Sequence, residues 1–265
     1  MDVIKFSGEK ETFNPKKIYA SIKDAGGSNR LAKETITIVR KNLHKDITTK
    51  EILDIVLENL KKEPGISEKY NLKGAIMSLG PTGFPFEEFF AKLLEYYGYK
   101  TKTDNKLKGK IIYHEVDIVA EKNKKFMVEC KYHNESGTLT RLQPAMYTYA
   151  RFLDLKRQKF DKPWLVTNTR CSTDARQYAK GVGLKITSWK YPKGESLGEL
   201  IEKKSLYPIT ILNYLTNKMK EKLFSLNIIM LKDFEKYNPK ELKSKTNFSE
   251  KEIELLLKEV YEVLA

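Results

Sequence analysis

Cysteine, histidine and long apolar runs are all scarce in this chain. Cysteine occurs twice in 265 residues, at Cys130 and Cys171, with no C-x-x-C pair between them. That spacing rules out a disulfide framework, and three histidines are too few for a structural zinc site. Both cysteines fall in apolar segments and read as free, buried thiols of a reducing cytoplasm. No apolar run approaches the roughly 18 residues needed to cross a bilayer, so no membrane partner is expected. The opening Met1-Asp-Val-Ile-Lys-Phe lacks the basic and then apolar stretches of a signal peptide. Glycine and proline number only 14 and 9, so their clusters act as punctuation, above all Gly80-Pro81-Thr-Gly83.

Positive charge is plentiful: 49 Lys+Arg against 35 Asp+Glu give a formal net charge of +14. The excess is uneven. Residues 86–204 hold 24 basic and 15 acidic residues, an excess of nine, whereas residues 205–265 hold 10 and 9. A polyanion such as a phosphate backbone is the natural partner for the middle of the chain.

In that basic middle lies the run Glu115-Val-Asp117-Ile-Val-Ala, then a Lys-rich turn, then Phe126-Met-Val-Glu129-Cys-Lys131. Two strands joined by Glu121–Lys125 would bring Asp117 and Glu129 to one end of a hairpin. Glu129 and Lys131, two apart, leave the same face of their strand. Converging carboxylates repel unless a divalent cation lies between them, and hard oxygen ligands suit Mg²⁺ or Mn²⁺. A lysine beside them can hold a water or stabilise charge on a phosphate. Phe126, Met127, Val128 and Cys130 make the second strand buried, where an unpaired charge is costly.

These residues resemble the PD-(D/E)xK nuclease superfamily, and within it the Mrr-like restriction endonucleases. The resemblance extends upstream to the Phe86-Glu87…Leu93-Leu94…Gly98-Tyr99 helix. Downstream it takes in a strand at Pro163–Asn168, a helix from Cys171 to Gly183, and a last strand at Leu184–Trp189. Val116-Asp117 stands where the motif has Pro-Asp. The resemblance implies an α/β restriction-endonuclease-like core over residues 84–192, a mixed central sheet flanked by helices. It implies catalysis by Asp117, Glu129, Lys131 and Glu87, with metal held by Asp117, Glu129 and the Cys130 carbonyl. Gln143, on a helix expected from Leu139 to Leu155, and His114 and His133, flanking the motif, are lesser candidates. The buried face of that helix is expected to carry Leu142, Met146, Tyr149, Phe152 and Leu153. DNA is the implied substrate, in restriction or defence, and double-strand cleavage implies a homodimer or higher oligomer. The competing reading is a nucleotide-responsive DNA-binding regulator with an inactive nuclease fold.

The first segment, residues 1–82, reads as α+β: a small hairpin turning at Ser7-Gly8, then four helices. These are Lys16 to Ala25 after an Asn14-Pro15 start, about Leu31 to Leu43, Lys50 to Lys61, and about Glu68 to Leu79. Val3-Ile-Lys5-Phe6-Ser-Gly8, followed by Glu11, Phe13, Asn14 and Lys17-Ile18, resembles the ATP-cone, a nucleotide-sensing domain. The resemblance implies ATP or dATP as a regulatory ligand held by Lys5, Glu11, Asn14, Lys17 and Thr49. Phe6 stands where the family has arginine. The last segment, residues 205–265, reads as all-α and resembles a helix-hairpin-helix unit, with Asn227-Ile228 and Thr246-Asn247 in place of the hairpin glycines. Both DNA binding through helix N-termini and a packing or dimerisation role remain open for it.

Overall fold

Each amphipathic stretch in the first segment comes with its own start signal. The computed structural model describes residues 1–5 and 8–265; the expected turn residue Ser7 and the substituted Phe6 lie outside them. Strands β1 (Asp2–Ile4) and β2 (Lys10–Thr12) pair antiparallel, with Val3 opposite Glu11. Helix α1 (Pro15–Asp24) has proline in its first turn and the Asn14 side chain accepting from Lys16 N. Helix α2 (Asn29–Lys41) is capped by Ser28, and α3 (Thr49–Leu60) by a reciprocal Thr48–Glu51 box. The Ile4 amide donates to Ile47 O at 2.9 Å, which ties the hairpin to the start of α3. Ile18, Ile22, Leu31, Val39, Val56 and Leu60 form the core.

The expected fourth helix is instead two, α4 (Ile66–Tyr70) and α5 (Leu72–Met77). Asn71 divides them. Its side chain lies over Gly74 in the first turn of α5, the place of an N-cap, and such local bonding competes with helix continuation.

The middle segment begins with α6 (Phe84–Tyr96), whose Phe86, Phe89, Phe90, Leu93 and Leu94 are buried. Strands β3 (Lys100–Lys108), β4 (Tyr113–Glu121) and β5 (Lys125–Lys131) follow. Short β6 (Leu139–Thr140) and α7 (Leu142–Asp154) lead to β7 (Lys162–Thr167). Then come β8 (Arg170–Cys171), α8 (Thr173–Val182), β9 (Lys185–Thr187) and α9 (Leu197–Lys203). The five-stranded sheet runs β3-β4-β5-β7-β9, antiparallel through β5 and parallel from β5 onward. Parallel neighbours need crossovers, and α7 and α8 supply them. Trp164 on β7 packs edge-on against Phe90 at 5.6 Å and Phe126 at 5.3 Å between ring centroids. Ser172 caps α8 and Gly183, at φ +75°, closes it.

Strand β3 was not foreseen. Its sequence is mostly Lys and Thr, and only Asn105 is buried along it. It is a sheet edge, where lysines keep a strand from pairing with another molecule. The expected inner face of α7 is also corrected: Ala145 and Thr148 are buried, while Met146 and Leu153 are 47% and 41% exposed. Leu142, Tyr149 and Phe152 are half-buried on that face, Phe152 against the core, so two of the five expected residues lie outside it and small residues form its centre.

The last segment holds α10 (Asn217–Ser225), α11 (Pro239–Thr246) and α12 (Glu250–Leu264), capped by Thr216, Asn238 and Ser249. Asn227 and Asn247 both take left-handed backbone, φ +57° and +61°. Asparagine is the residue after glycine that tolerates this conformation, so these turns close without glycine. The chain forms two compact units, residues 76–208 and residues 1–75 with 209–265. Within the second, Gly65 sits against the Glu262 carbonyl with φ +75°, leaving no room for a Cβ.

Candidate active site

Strand register delivers the carboxylates. Ile118 pairs with Val128 across β4 and β5, which puts Asp117 and Glu129 next in line at the same end. Asp117 Oδ2 accepts a hydrogen bond from the Cys130 amide at 2.7 Å. Glu87, in the first turn of α6, lies against Gly83 and acts electrostatically on both Glu129 and the Cys130 thiol. The structure therefore places Glu87, Asp117, Glu129 and Cys130 within electrostatic reach of one another. Lys131 is exposed at the end of β5 and acts electrostatically on Glu129.

Crowding shows in the proton affinities. Burial, then the Asp117 charge, pushes the Glu87 carboxyl up to about 7. Burial and Asp117 likewise raise Glu129 to about 7, outweighing the downward pull of Arg151. Burial raises Asp117 too, against its bond from Cys130. Acids that resist ionisation are the mark of converging carboxylates in a low-dielectric site.

A testable consequence follows for the metal-free protein. A carboxyl whose folded pKa lies above its unfolded value favours the folded state at low pH. That stability is lost as pH rises from about 4.5 through about 7. In EDTA, Glu87→Gln should be more stable than wild type at pH 8 by on the order of 1 kcal/mol, after discounting for solvent. At pH 5 the two should converge. Urea midpoints at both pH values check this; a Gln variant no more stable at pH 8 would contradict the crowding.

Arg151 of α7 was not anticipated. Its guanidinium pairs with Glu129, donates to Glu115 O at 2.8 Å, and stacks 4.8 Å from the Tyr147 ring centroid. The signal was present: Ala145, Thr148 and Arg151, spaced by three, continue one helical stripe onto the sheet. Asp104, at φ +52° in the middle of β3, is a second omission; its charge adds to the repulsion on Glu87. Among the described residues no three His, Cys, Asp or Glu side chains are grouped to hold a metal ion, and Glu129 is paired with Arg151.

The lesser candidates stand apart. Gln143 is exposed. His114 Nε2 is 2.8 Å from Asp154 Oδ2, and His133 Nε2 is 2.8 Å from Thr140 Oγ1. Burial, then Lys131, lowers the His133 pKa. Both cysteines are free: Cys171 is buried, and Cys130, half-buried as a residue, has its thiol pKa pushed well up by burial.

In the first segment, Glu11 pairs with both Lys5, at 2.8 Å, and Lys17. Asn14 caps the helix that carries Lys17. The isolated bridge between Ile4 and Thr48 brings the start of α3, with Thr49, beside the same hairpin.

Three family models match along the chain: an ATP cone domain over residues 1–71, a restriction endonuclease over residues 81–193, and an AF1548-like C-terminal domain over residues 207–264. An uncharacterized protein of Archaeoglobus fulgidus is 43% identical over 144 residues, 54% of this chain and 82% of that protein. The chain belongs to the AF1548-like family. A crystal structure described as that of a protein of unknown function, AF1548, is similar at 36% identity and a TM-score of 0.62. The similarity covers 69% of this chain and 98% of that one. This AF1548-like chain thus combines an ATP cone domain with an Mrr-type restriction endonuclease domain. No helix among the described residues is long and apolar enough to cross a membrane.

Proposed function

We propose that this chain is a divalent-metal-dependent endodeoxyribonuclease regulated by ATP or dATP and acting in restriction or defence. The nearness of Glu87, Asp117 and Glu129 carries the reading, since three half-buried carboxyl groups, each with its pKa raised, are chemically suited to Mg²⁺ or Mn²⁺. Asp117, Glu129 and the Cys130 carbonyl would hold the ion, with Glu87 completing the shell. Such an ion supplies Lewis-acid stabilisation of charge at the phosphate. Lys131, exposed beside the carboxylates, orients the attacking water and neutralises phosphate charge. Gln143, His114 and His133 are secondary; the bonds of His114 to Asp154 and His133 to Thr140 support structural work for both. Cutting both strands with one site per chain calls for two copies.

The Arg151–Glu129 pair favours a second reading, a nucleotide-responsive DNA-binding regulator with an inactive nuclease fold. Plasmid nicking in Mg²⁺, compared with DNA binding in EDTA, separates the two. Binding without nicking at any nucleotide concentration would select the regulator.

For the cone, Lys5→Ala/Lys17→Ala should weaken binding of ATP or dATP to the full chain at least about tenfold. The double lysine bracket around Glu11 motivates this: it concentrates positive charge where a polyphosphate would sit. A nucleotide can bias cleavage only through different affinities for two states. Calorimetry to millimolar nucleotide, with cleavage rates alongside, tests it. A double variant that matches wild type in both would leave the cone a scaffold.

A further inference from the structure

We propose that the tip of the β3–β4 hairpin is a DNA-engaging wedge, apolar at its point and basic along its flank; this rests on the nuclease reading above. Ile111, Ile112 and Tyr113 are consecutive and 81%, 58% and 59% exposed. Three large apolar side chains in a row on a surface mark an interaction site more often than a solvated loop does.

The tip is held rigidly in that exposed position. Gly109 N donates to Ile112 O at 2.7 Å, and Lys110 N to Asp154 O at 2.9 Å. Asp154 Oδ1 accepts from Ile111 N at 3.0 Å, and Asp154 Oδ2 lies 2.8 Å from His114 Nε2. Gly109 has no space for a Cβ beside the Asp154 carboxylate. A loop free to collapse would fold its isoleucines onto the sheet; these bonds hold them out.

The flank identifies the partner. Lys106, Lys108 and Lys110 are exposed just before the tip, and Lys108 Nζ lies 6.0 Å from the Tyr113 ring centroid. Edge protection accounts for lysines on β3 but not for the apolar point. An apolar wedge flanked by lysines is the pairing with which proteins unstack a base step while gripping phosphates. Asp154, which pins the tip, ends the helix that carries Arg151. Tyr113 lies four residues along β4 from Asp117, about 13 Å of strand, or roughly four base steps at about 3.4 Å each. One duplex can therefore meet tip and carboxylates together.

The test uses the full chain in EDTA with duplexes carrying 2-aminopurine at successive positions. Wild type is expected to bind and to raise fluorescence at a step near the cut site. Ile111→Ser/Ile112→Ser, changed only at exposed side chains, should bind about tenfold more weakly and lose that signal. Lys106→Ala/Lys108→Ala/Lys110→Ala should instead lower the dependence of affinity on salt. Serine variants with wild-type affinity and signal overturn the wedge and leave the nuclease reading standing. Wild-type protein that binds no duplex takes the nuclease reading down with it. Wild-type protein that sediments with phosphatidylserine vesicles, when the serine variant does not, assigns the tip to a lipid surface and overturns the wedge.

Discussion

Asp117→Asn and Glu129→Gln are each expected to abolish Mg²⁺-dependent cleavage, a loss on the order of 10³-fold or more, while DNA binding in EDTA stays within about twofold. These amides are better probes than alanine here. Asp117 accepts from the Cys130 amide, and alanine would leave that buried donor unmet. Glu129 pairs with Arg151, whose side chain is 11% exposed. Removing the acid outright would strand a buried guanidinium, a defect that typically costs about 3–5 kcal/mol. Asparagine and glutamine keep an acceptor oxygen but lose the charge that would hold a cation. Plasmid nicking and fluorescence anisotropy on the same preparations give both readouts. Either amide variant cutting at near wild-type rate would remove that residue from the proposed metal site.

Local signals in the sequence were readable wherever one interaction decided the structure. The helix starts at Asn14, Thr48 and Ser172 each have their capping bond, because a cap is satisfied within four residues. The β4–β5 hairpin was legible because apolar alternation and a lysine turn fix its register, and that register alone sets Asp117 beside Glu129. Strand β3 was not legible. Its order comes from pairing with β4 along Lys100–Lys108, and its polar side chains carry no period-two apolar pattern. Helix α7 misleads for a related reason: side-chain size points to Met146 and Leu153, but the positions it buries fully are Ala145 and Thr148. That error hid Arg151, a charge on the buried stripe. Asp104 was hidden by its left-handed backbone, which propensity does not foresee in a strand.

Arg151→Met is expected to bind Mn²⁺ at least about tenfold more tightly than wild type, by calorimetry on the full chain. In the structure the guanidinium occupies the charge-neutralising place beside Glu129, held also by Glu115 O and the face of Tyr147. Its hold is incomplete: Arg151 Nε is buried with no acceptor among the described residues. An unmet buried donor costs about 1–3 kcal/mol, so release of the side chain recovers part of what breaking the pair loses. A cation entering the carboxylate cluster competes with this arginine, and methionine fills the same space without competing. The same substitution should lower stability in EDTA, because Glu129 then faces Asp117 without a counter-charge. Tyr147→Ala gives a milder version. Tyr147 is 61% exposed, so its loss leaves the core intact, loosens Arg151 and should tighten Mn²⁺ binding by a smaller factor. A guanidinium that merely props Glu129 in place predicts the opposite sign, since its removal would disorder a ligand and weaken the metal. Unchanged or weaker Mn²⁺ binding in a folded Arg151→Met protein would establish that propping role.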